Sequence, residues 1–186
     1  VTSGPGATNT ITGIADAHYD SIPLVIFTGQ VPQSLIGNDA FQEVDIVGMT
    51  RSIVKYGVTV RDRKDLGKII KMAFHIASSG KPGPVLIDIP KDIQTQSGPA
   101  TYPDHVDIRG YKPNETVHIG QLKKAYKMLK SAKQPLLLAG GGVNISGAQE
   151  LLTTFAEKMR VPVVTTVMGK GAIPTDHPLY VGNSGM

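Results

Sequence analysis

Ile22-Pro23-Leu24-Val25-Ile26-Phe27-Thr28-Gly29 is the stretch on which the fold turns. Ile22 to Thr28 is an apolar run of strand length closed by Gly29, the pattern of a strand buried on both faces of a parallel sheet. Upstream, the turn cluster Thr2-Ser3-Gly4-Pro5-Gly6 leads into Ile11, Ile14 and Ala15 at helical spacing, which predicts a helix from about Gly6 to Tyr19. Downstream, Leu66, Ile69, Ile70, Ala73 and Ala77 mark an amphipathic helix, stopped by Ser79-Gly80-Lys81-Pro82-Gly83-Pro84. Val85 to Ile89 then reads as another buried strand, and Ile53 to Val60 as a further one, with a short helical piece around Glu43 to Thr50. Alternating helices and apolar strands predict an α/β fold with a parallel sheet.

Beyond Gln94 the alternation breaks. Gln94 to Val117 contains Pro99, Pro103 and Pro113 with little apolar periodicity, and is too long for an ordinary connection, so it is expected to divide the chain. The expected organisation is a first domain over 1–94, a linker over 95–117 and a second domain over 118–186. In the second, Leu122, Ala125, Tyr126 and Leu129 make one helix face and Ala148, Leu151, Leu152, Phe155, Ala156 and Met159 another. Strands are expected at Pro135 to Ala139 and Val161 to Thr165. Two strands cannot cover both their own faces, so the second domain reads as incomplete and the first as lacking its opening strands.

Composition narrows the function classes. The 186 residues, against roughly 150 per domain, allow one large domain or parts of two. Hydrophobic residues make up 40% and charged residues 18%, which suits a chain with a core. The absence of cysteine removes disulfides, thiolate nucleophiles and Cys-ligated zinc. No apolar run approaches the ~18 residues a bilayer span needs, so no membrane partner is expected. The net charge of +4 hides an asymmetry: residues 1–50 hold five acids and no Lys or Arg, while residues 51–71 hold seven bases. Asp62 and Asp65 interrupt that basic cluster and no aromatics interleave for base stacking, so it reads as a solvated helix face and no nucleic-acid partner is expected.

The chemistry-bearing segments lie at strand ends and turns. Ser3 to Asn9 places glycines at a helix start, a geometry open to a polar heterocycle or an anion, or to a tight capping turn alone. Leu138-Ala139-Gly140-Gly141-Gly142-Val143 follows a strand as a nucleotide-binding turn does, without the G-x-G-x-x-G spacing or the later acid of a nicotinamide site. Lys91 sits past the carboxyl end of a strand, where α/β sheets place ligands, and Phe41 and Gln42 follow another. The histidines at 18, 75, 105, 118 and 177 show no metal-ligand spacing, and no metal site is expected within the chain. Side-chain nucleophile motifs are absent.

Five blocks, in order and spacing, resemble the large catalytic subunit of the acetolactate (acetohydroxyacid) synthase family: Val1 to Asn9, Phe27 to Pro32, Gly37 to Glu43, Lys81 to Val85 and Ile89 to Gln94. Gly140 to Gly142, Thr165 to Gly169 and Pro174 to Leu179 continue the resemblance, which covers essentially the whole chain. The Thr-Ser-Gly-Pro-Gly block is shared by many thiamine-diphosphate enzymes; Asp39-Ala40-Phe41-Gln42-Glu43, with Pro32 before it, is characteristic of the synthase. The resemblance implies part of a thiamine-diphosphate pyrimidine domain followed by part of a Rossmann-like central FAD-binding domain. It implies that the chain is an internal fragment, inactive alone, because the family's catalytic glutamate and its Mg2+-diphosphate domain lie outside these residues.

By the same resemblance, Pro5 and Asn9 would lie beside the aminopyrimidine and Gln42 near the reacting thiazolium. Pro32, Ala40, Phe41, Lys55 and Lys91 would line the channel for substrate and for sulfonylurea-type herbicides. Lys81, Gly140, Gly141, Gly142, Asn144, Thr166, Val167, Met168, Gly185 and Met186 would belong to the FAD site. Lys81 stands where many relatives carry an Arg, a point charge in place of a planar fork, and Val167 replaces a usual Leu. The implied reaction joins pyruvate to pyruvate or to 2-ketobutyrate with loss of CO2, in isoleucine and valine biosynthesis. A homodimer or homotetramer is implied, with a possible small regulatory subunit, and for a bacterial source the cytoplasm. Two other readings stand beside it: a related carboligase or decarboxylase such as glyoxylate carboligase, and a noncatalytic nucleotide-binding module built on Gly140 to Gly142.

Overall fold

The computed structural model describes residues 1–185. The chain forms two compact units, Val1–Glu115 and Thr116–Met186, the last residue of which lies outside the described ones.

The first unit is built on a parallel three-stranded sheet. β1 (Leu24–Gln30), β2 (Tyr56–Thr59) and β3 (Pro84–Pro90) lie in the order β1-β3-β2. β3 is central because its sequence can be: Val85, Leu86 and Ile87 are completely buried, each worth about 1.5–3 kcal/mol of transfer free energy. β1 is an edge strand, so the expectation of burial on both its faces is corrected: Leu24 and Phe27 each remain 37% exposed. Its register with β3 sets Thr28 beside Asp88 and Gln30 beside Pro90.

The helices follow the apolar spacing with one correction. The single helix expected over 6–19 is two, α1 (Pro5–Thr8) and α2 (Ile11–Asp20). Thr8 and Thr10 donate their hydroxyls back to the carbonyls of Pro5 (3.2 Å) and Ala7 (2.6 Å), competing with the helical ladder and turning the chain at Asn9-Thr10. α3 (Ile46–Thr50) is capped by Asp45, whose carboxylate accepts from the Gly48 N–H at 2.8 Å. α4 (Leu66–Ser78) buries Ala73, Ile76 and Ala77 against β3, and α5 (Lys91–Thr95) follows β3 directly. One cluster joins α4 to Val85, Ile87 and Val60; a second joins Ala7 and Ile14 to Ile26, Ile46 and Leu86, so the sheet is covered on both faces.

The Pro-rich segment after α5 stays with this unit as far as Glu115. Ile108 and Tyr111 pack against the α4 cluster, and a Cβ on Gly67 would collide with the Thr101 carbonyl.

The second unit holds α6 (Ile119–Ser131), β4 (Leu137–Ala139), α7 (Gly141–Ile145), α8 (Gln149–Met159), β5 (Val163–Thr165) and β6 (Tyr180–Asn183). The strands are parallel in the order β4-β5-β6, so the sequence expectation of two strands becomes three. β6 escaped notice because it is four residues long and carries Gly182 at φ 135°, with an irregular register opposite Val163 and Val164. Ala139, Ala156, Val163, Ala172 and Ile173 form the core. No helix among the described residues is long and apolar enough to cross a membrane.

Candidate functional site

The carboxyl ends of β1 and β3 lead into the segments that carry Pro32, Ala40, Phe41, Gln42 and Lys91. Gly4 takes φ 58° and ψ −118°, a conformation reserved for glycine, and a Cβ there would stand 2.8 Å from the Gln42 carbonyl and 2.9 Å from its Cα. The turn before α1 is thus in direct contact with the loop bearing Gln42. Pro5 and Asn9 are one helical turn apart, joined by the Asn9 N–H to the Pro5 carbonyl at 3.1 Å. Among the described residues neither the Asn9 nor the Gln42 side-chain amide has a hydrogen-bond partner, and both are exposed. Phe41, next to Gln42 in the chain, is 88% exposed, a large apolar side chain offered to a ligand or another surface.

The loop from Val31 to Glu43 is held in a strained shape. Asp39 and Gln42 take φ 53° and 62°, the left-handed region that costs a non-glycine residue free energy. Glu43 reaches back across the loop: its carboxylate accepts from the Ala40 N–H at 2.9 Å and from the Gly37 N–H. Those backbone bonds, Gly37's first, hold the Glu43 carboxyl below its usual range. The Pro32 end is tied to α5: Gln33 donates its backbone N–H (3.1 Å) and side-chain amide (3.2 Å) to the two Asp92 oxygens. Desolvation opposes ionisation of Asp92, but the bonds from Gln33 outweigh it and lower its pKa.

Lys91 lines a concavity of about 390 Å³ with Thr2, Ser3, Gly29 and Gln30. Lys55 is placed apart from it. Its N–H bonds the Pro84 carbonyl, at the opposite end of β3, and its ammonium is turned to the C-terminus of α4. Nζ donates to the carbonyls of Ile76 and Ser79 (2.7 Å) and to the Tyr111 hydroxyl (3.1 Å). Desolvation raises the Tyr111 pKa, yet the Ser79 and Lys55 bonds and the Lys55 charge bring the net shift down. Lys55 and Lys81 line one concavity of about 750 Å³ with Tyr111 and Pro113.

In the second unit, Gly140 to Gly142 follow β4 as expected. A Cβ on Gly142 would meet nothing within 4 Å, and one on Gly140 only the Thr166 hydroxyl at 3.8 Å, so the backbone surface is open to a flat group. Asn144 is engaged: its amide donates to the Met168 and Lys170 carbonyls, both at 3.1 Å, fixing the 166–170 turn. Thr166 accepts from the Gly169 N–H at 3.1 Å, and a Cβ on Gly169 would collide with the Ala139 carbonyl, so that turn packs tightly on the glycine turn. Val167 (71% exposed) and Met168 (43%) present apolar surface beside it. Gly185 stands 3.6 Å, by its would-be Cβ, from Val167; Met186 lies outside the described residues. No cluster of three potential metal-ligating side chains occurs among the described residues.

Sequence reading missed a buried polar rung. Asp88, 1% exposed in the central strand, accepts from the Thr28 hydroxyl at 2.7 Å, the Gln30 amide at 3.1 Å and the Thr59 hydroxyl at 3.3 Å. Burial pushes its pKa up, more than the three donors pull it down, and the Asp45 charge adds to the rise. The signal was present as a lone acid inside Val85 to Ile89, but only the strand register shows that Thr28 and Thr59 flank it.

Residues 1–49 match the family profile described as thiamine pyrophosphate enzyme, N-terminal TPP binding domain, and residues 122–186 match thiamine pyrophosphate enzyme, central domain. The chain is 50% identical over its whole length to an acetolactate synthase large subunit of Buchnera aphidicola subsp. Acyrthosiphon pisum, covering 33% of that protein. It is 50% identical to a probable acetolactate synthase large subunit of Methanocaldococcus jannaschii, covering 32%. It is 48% identical to the acetolactate synthase isozyme 3 large subunit of Escherichia coli, again covering 33%. The chain thus spans about a third of the length of the curated relatives it matches.

Proposed function

Since the chain belongs to the thiamine pyrophosphate enzymes and shares half its residues with acetolactate synthase large subunits, we propose that it forms an interior third of such a subunit. That subunit would condense pyruvate with pyruvate or 2-ketobutyrate with release of CO2. The observation that supports this reading is the seating of the Gln42 backbone on Gly4, which makes one wall from the block shared by many thiamine-diphosphate enzymes and the block characteristic of the synthase. Residues 1–94 would be pyrimidine-domain sequence, 95–117 the connection and 118–186 the start of an FAD-binding domain.

The exposed, unpartnered amides of Asn9 and Gln42 fit a polar heterocycle, and the glycine contact leaves no side chain between them. When bound, thiamine diphosphate supplies an acidic carbon that adds to a keto group and accepts the electrons released with CO2. Within this wall Pro5 and Asn9 would orient the aminopyrimidine, and Gln42 would bond polar atoms at the reacting end. Pro32, Ala40, Phe41 and Lys91 would line the approach, with Phe41 excluding water and Lys91 attracting the substrate carboxylate. Lys55 belongs to the same proposed set but is spent on the α4 terminus in this unit, so its contribution there is to hold the Lys81 rim in place.

The open backbone at Gly140 and Gly142, with Val167 and Met168 beside it, fits the flat body of FAD. Thr166 and Asn144 would shape that surface and Gly185 would border it; Lys81 and Met186 belong to the same FAD set by the resemblance alone. Mg2+ would be held by residues beyond these 186. Partners would be further copies of the subunit, in a homodimer or homotetramer, and a small regulatory subunit, in the cytoplasm of a bacterial source.

The test is product formation. A full-length subunit carrying this sequence, supplied with pyruvate, Mg2+, thiamine diphosphate and FAD, should form acetolactate, while the 186-residue chain alone should not. Acetolactate made by the isolated chain, or glyoxylate consumed in preference to pyruvate by the full-length protein, would overturn the reading.

A further inference from the structure

We propose that the Gln30 side chain clamps the stem of the 31–43 loop, with Asp88 as its anchor, and so acts as a positioning residue for Phe41 and Gln42. Gln30 is the last residue of β1 and Val44 the first beyond the loop, and one amide joins them. Its Oε1 accepts from the Val31 N–H at 2.9 Å, and its Nε2 donates to the Val44 carbonyl at 2.8 Å. The second Nε2 hydrogen goes to Asp88 Oδ2 at 3.1 Å. A primary amide has two N–H donors, and both are used here.

Asp88 decides which way that amide faces. An ionised carboxylate only accepts, so it draws Nε2 and leaves Oε1 turned to Val31; the flipped amide would set oxygen against oxygen at Asp88 and at Val44. Thr28 and Thr59, one on each neighbouring strand, hold the carboxylate from its other sides. Gln30 is 6% exposed and Asp88 1%, so an unmade bond here could not be replaced by water without opening the unit.

The loop needs such a stem. Asp39 and Gln42 sit in a strained backbone region, which persists only where surrounding contacts over-determine it. Glu43 closes the tip and Asp92 holds Gln33, but the Gln30 amide ties together the two chain ends from which the loop springs. Loosening the stem moves Gln42 off Gly4, and a displacement of about 1 Å in a positioning group can cost up to ~10²-fold in rate.

The experiment compares Gln30→Met with wild type in the full-length subunit, using amide hydrogen exchange and steady-state kinetics. Gln30→Met keeps length and volume and removes all three bonds. Exchange in peptides covering 31–44 should rise about 10-fold while β3 peptides stay protected. The kcat should fall about 10- to 100-fold with the pyruvate KM within about 3-fold. Ile76→Val, a core truncation in α4, supplies a matched loss of stability and should change neither loop exchange nor kcat. If Gln30→Met does not fold, Gln30→Asn, which keeps the amide but is one methylene short of the stem, should give the same loop loosening. Wild-type loop exchange in the Gln30 variants, or a loosened loop with unchanged kcat, would overturn the proposal. The kinetic arm rests on the acetolactate reading; a wild-type protein without that activity would refute that reading, and the exchange arm would still decide the clamp.

Discussion

Gln42 carries the tension between stability and use at the scale of one residue. Its φ of 62° costs about 1–2 kcal/mol relative to ordinary backbone, and its side-chain amide is exposed without a partner. A residue selected for folding alone would be glycine here. Gln42→Gly should therefore stabilise the chain by up to about 1 kcal/mol in urea unfolding while lowering acetolactate formation by the full-length subunit. A destabilised variant would show that the loop does not store strain at this position. Gly4 is the converse case, because its contact with Gln42 leaves no volume for a methyl group. Both residues were visible in the sequence as a turn glycine and a loop glutamine; their contact was not, since 37 residues lie between them and nothing local encodes the approach.

Elements add what single residues lack. The rung Thr28–Asp88–Thr59 exists because three parallel strands bring one position each to the same level. Desolvation raises the folded-state pKa of Asp88, so the folded chain binds a proton that the unfolded chain, with its ordinary carboxyl near 3.8, has released. Between those two values stability falls as pH rises and grows as pH falls. Glu43 and Asp92 have lowered values and act in the opposite sense, losing their contribution on acidification. Comparison with Asp88→Asn isolates the Asp88 effect, because the other two carboxylates are common to both proteins. The stability of wild type relative to Asp88→Asn should increase as urea unfolding is moved from neutral pH down toward the ordinary carboxyl value of 3.8; a decrease would mean that the hydrogen bonds, not burial, govern this carboxylate. Element types were legible from periodicity, as α4 and β3 show. Ends were less so: the break between α1 and α2 depends on threonine hydroxyls competing for helix carbonyls, which spacing does not reveal.

The whole chain presents more apolar surface than its core uses. Leu24, Phe27, Phe41 and Met49 are exposed in the first unit, and Leu122, Tyr126, Leu136 and Leu138 in the second. Surfaces of this kind are covered by further protein or by ligand in stable assemblies. The 186-residue chain by itself should accordingly bind a hydrophobic dye and melt at least roughly 5 °C below a full-length subunit; equal melting temperatures would show that these faces need no cover. What the sequence by itself determined was the class of fold and the kinship, because apolar periodicity and motif order are written locally along the chain. What only the tertiary structure decided was that β3 is the central strand of the first sheet, that Lys55 serves a helix terminus at the far end of the sheet from Lys91, and that Gln30 and Asp88 close the stem of the loop. Those depend on register and burial, which arise when segments distant in sequence compete for the same interior space.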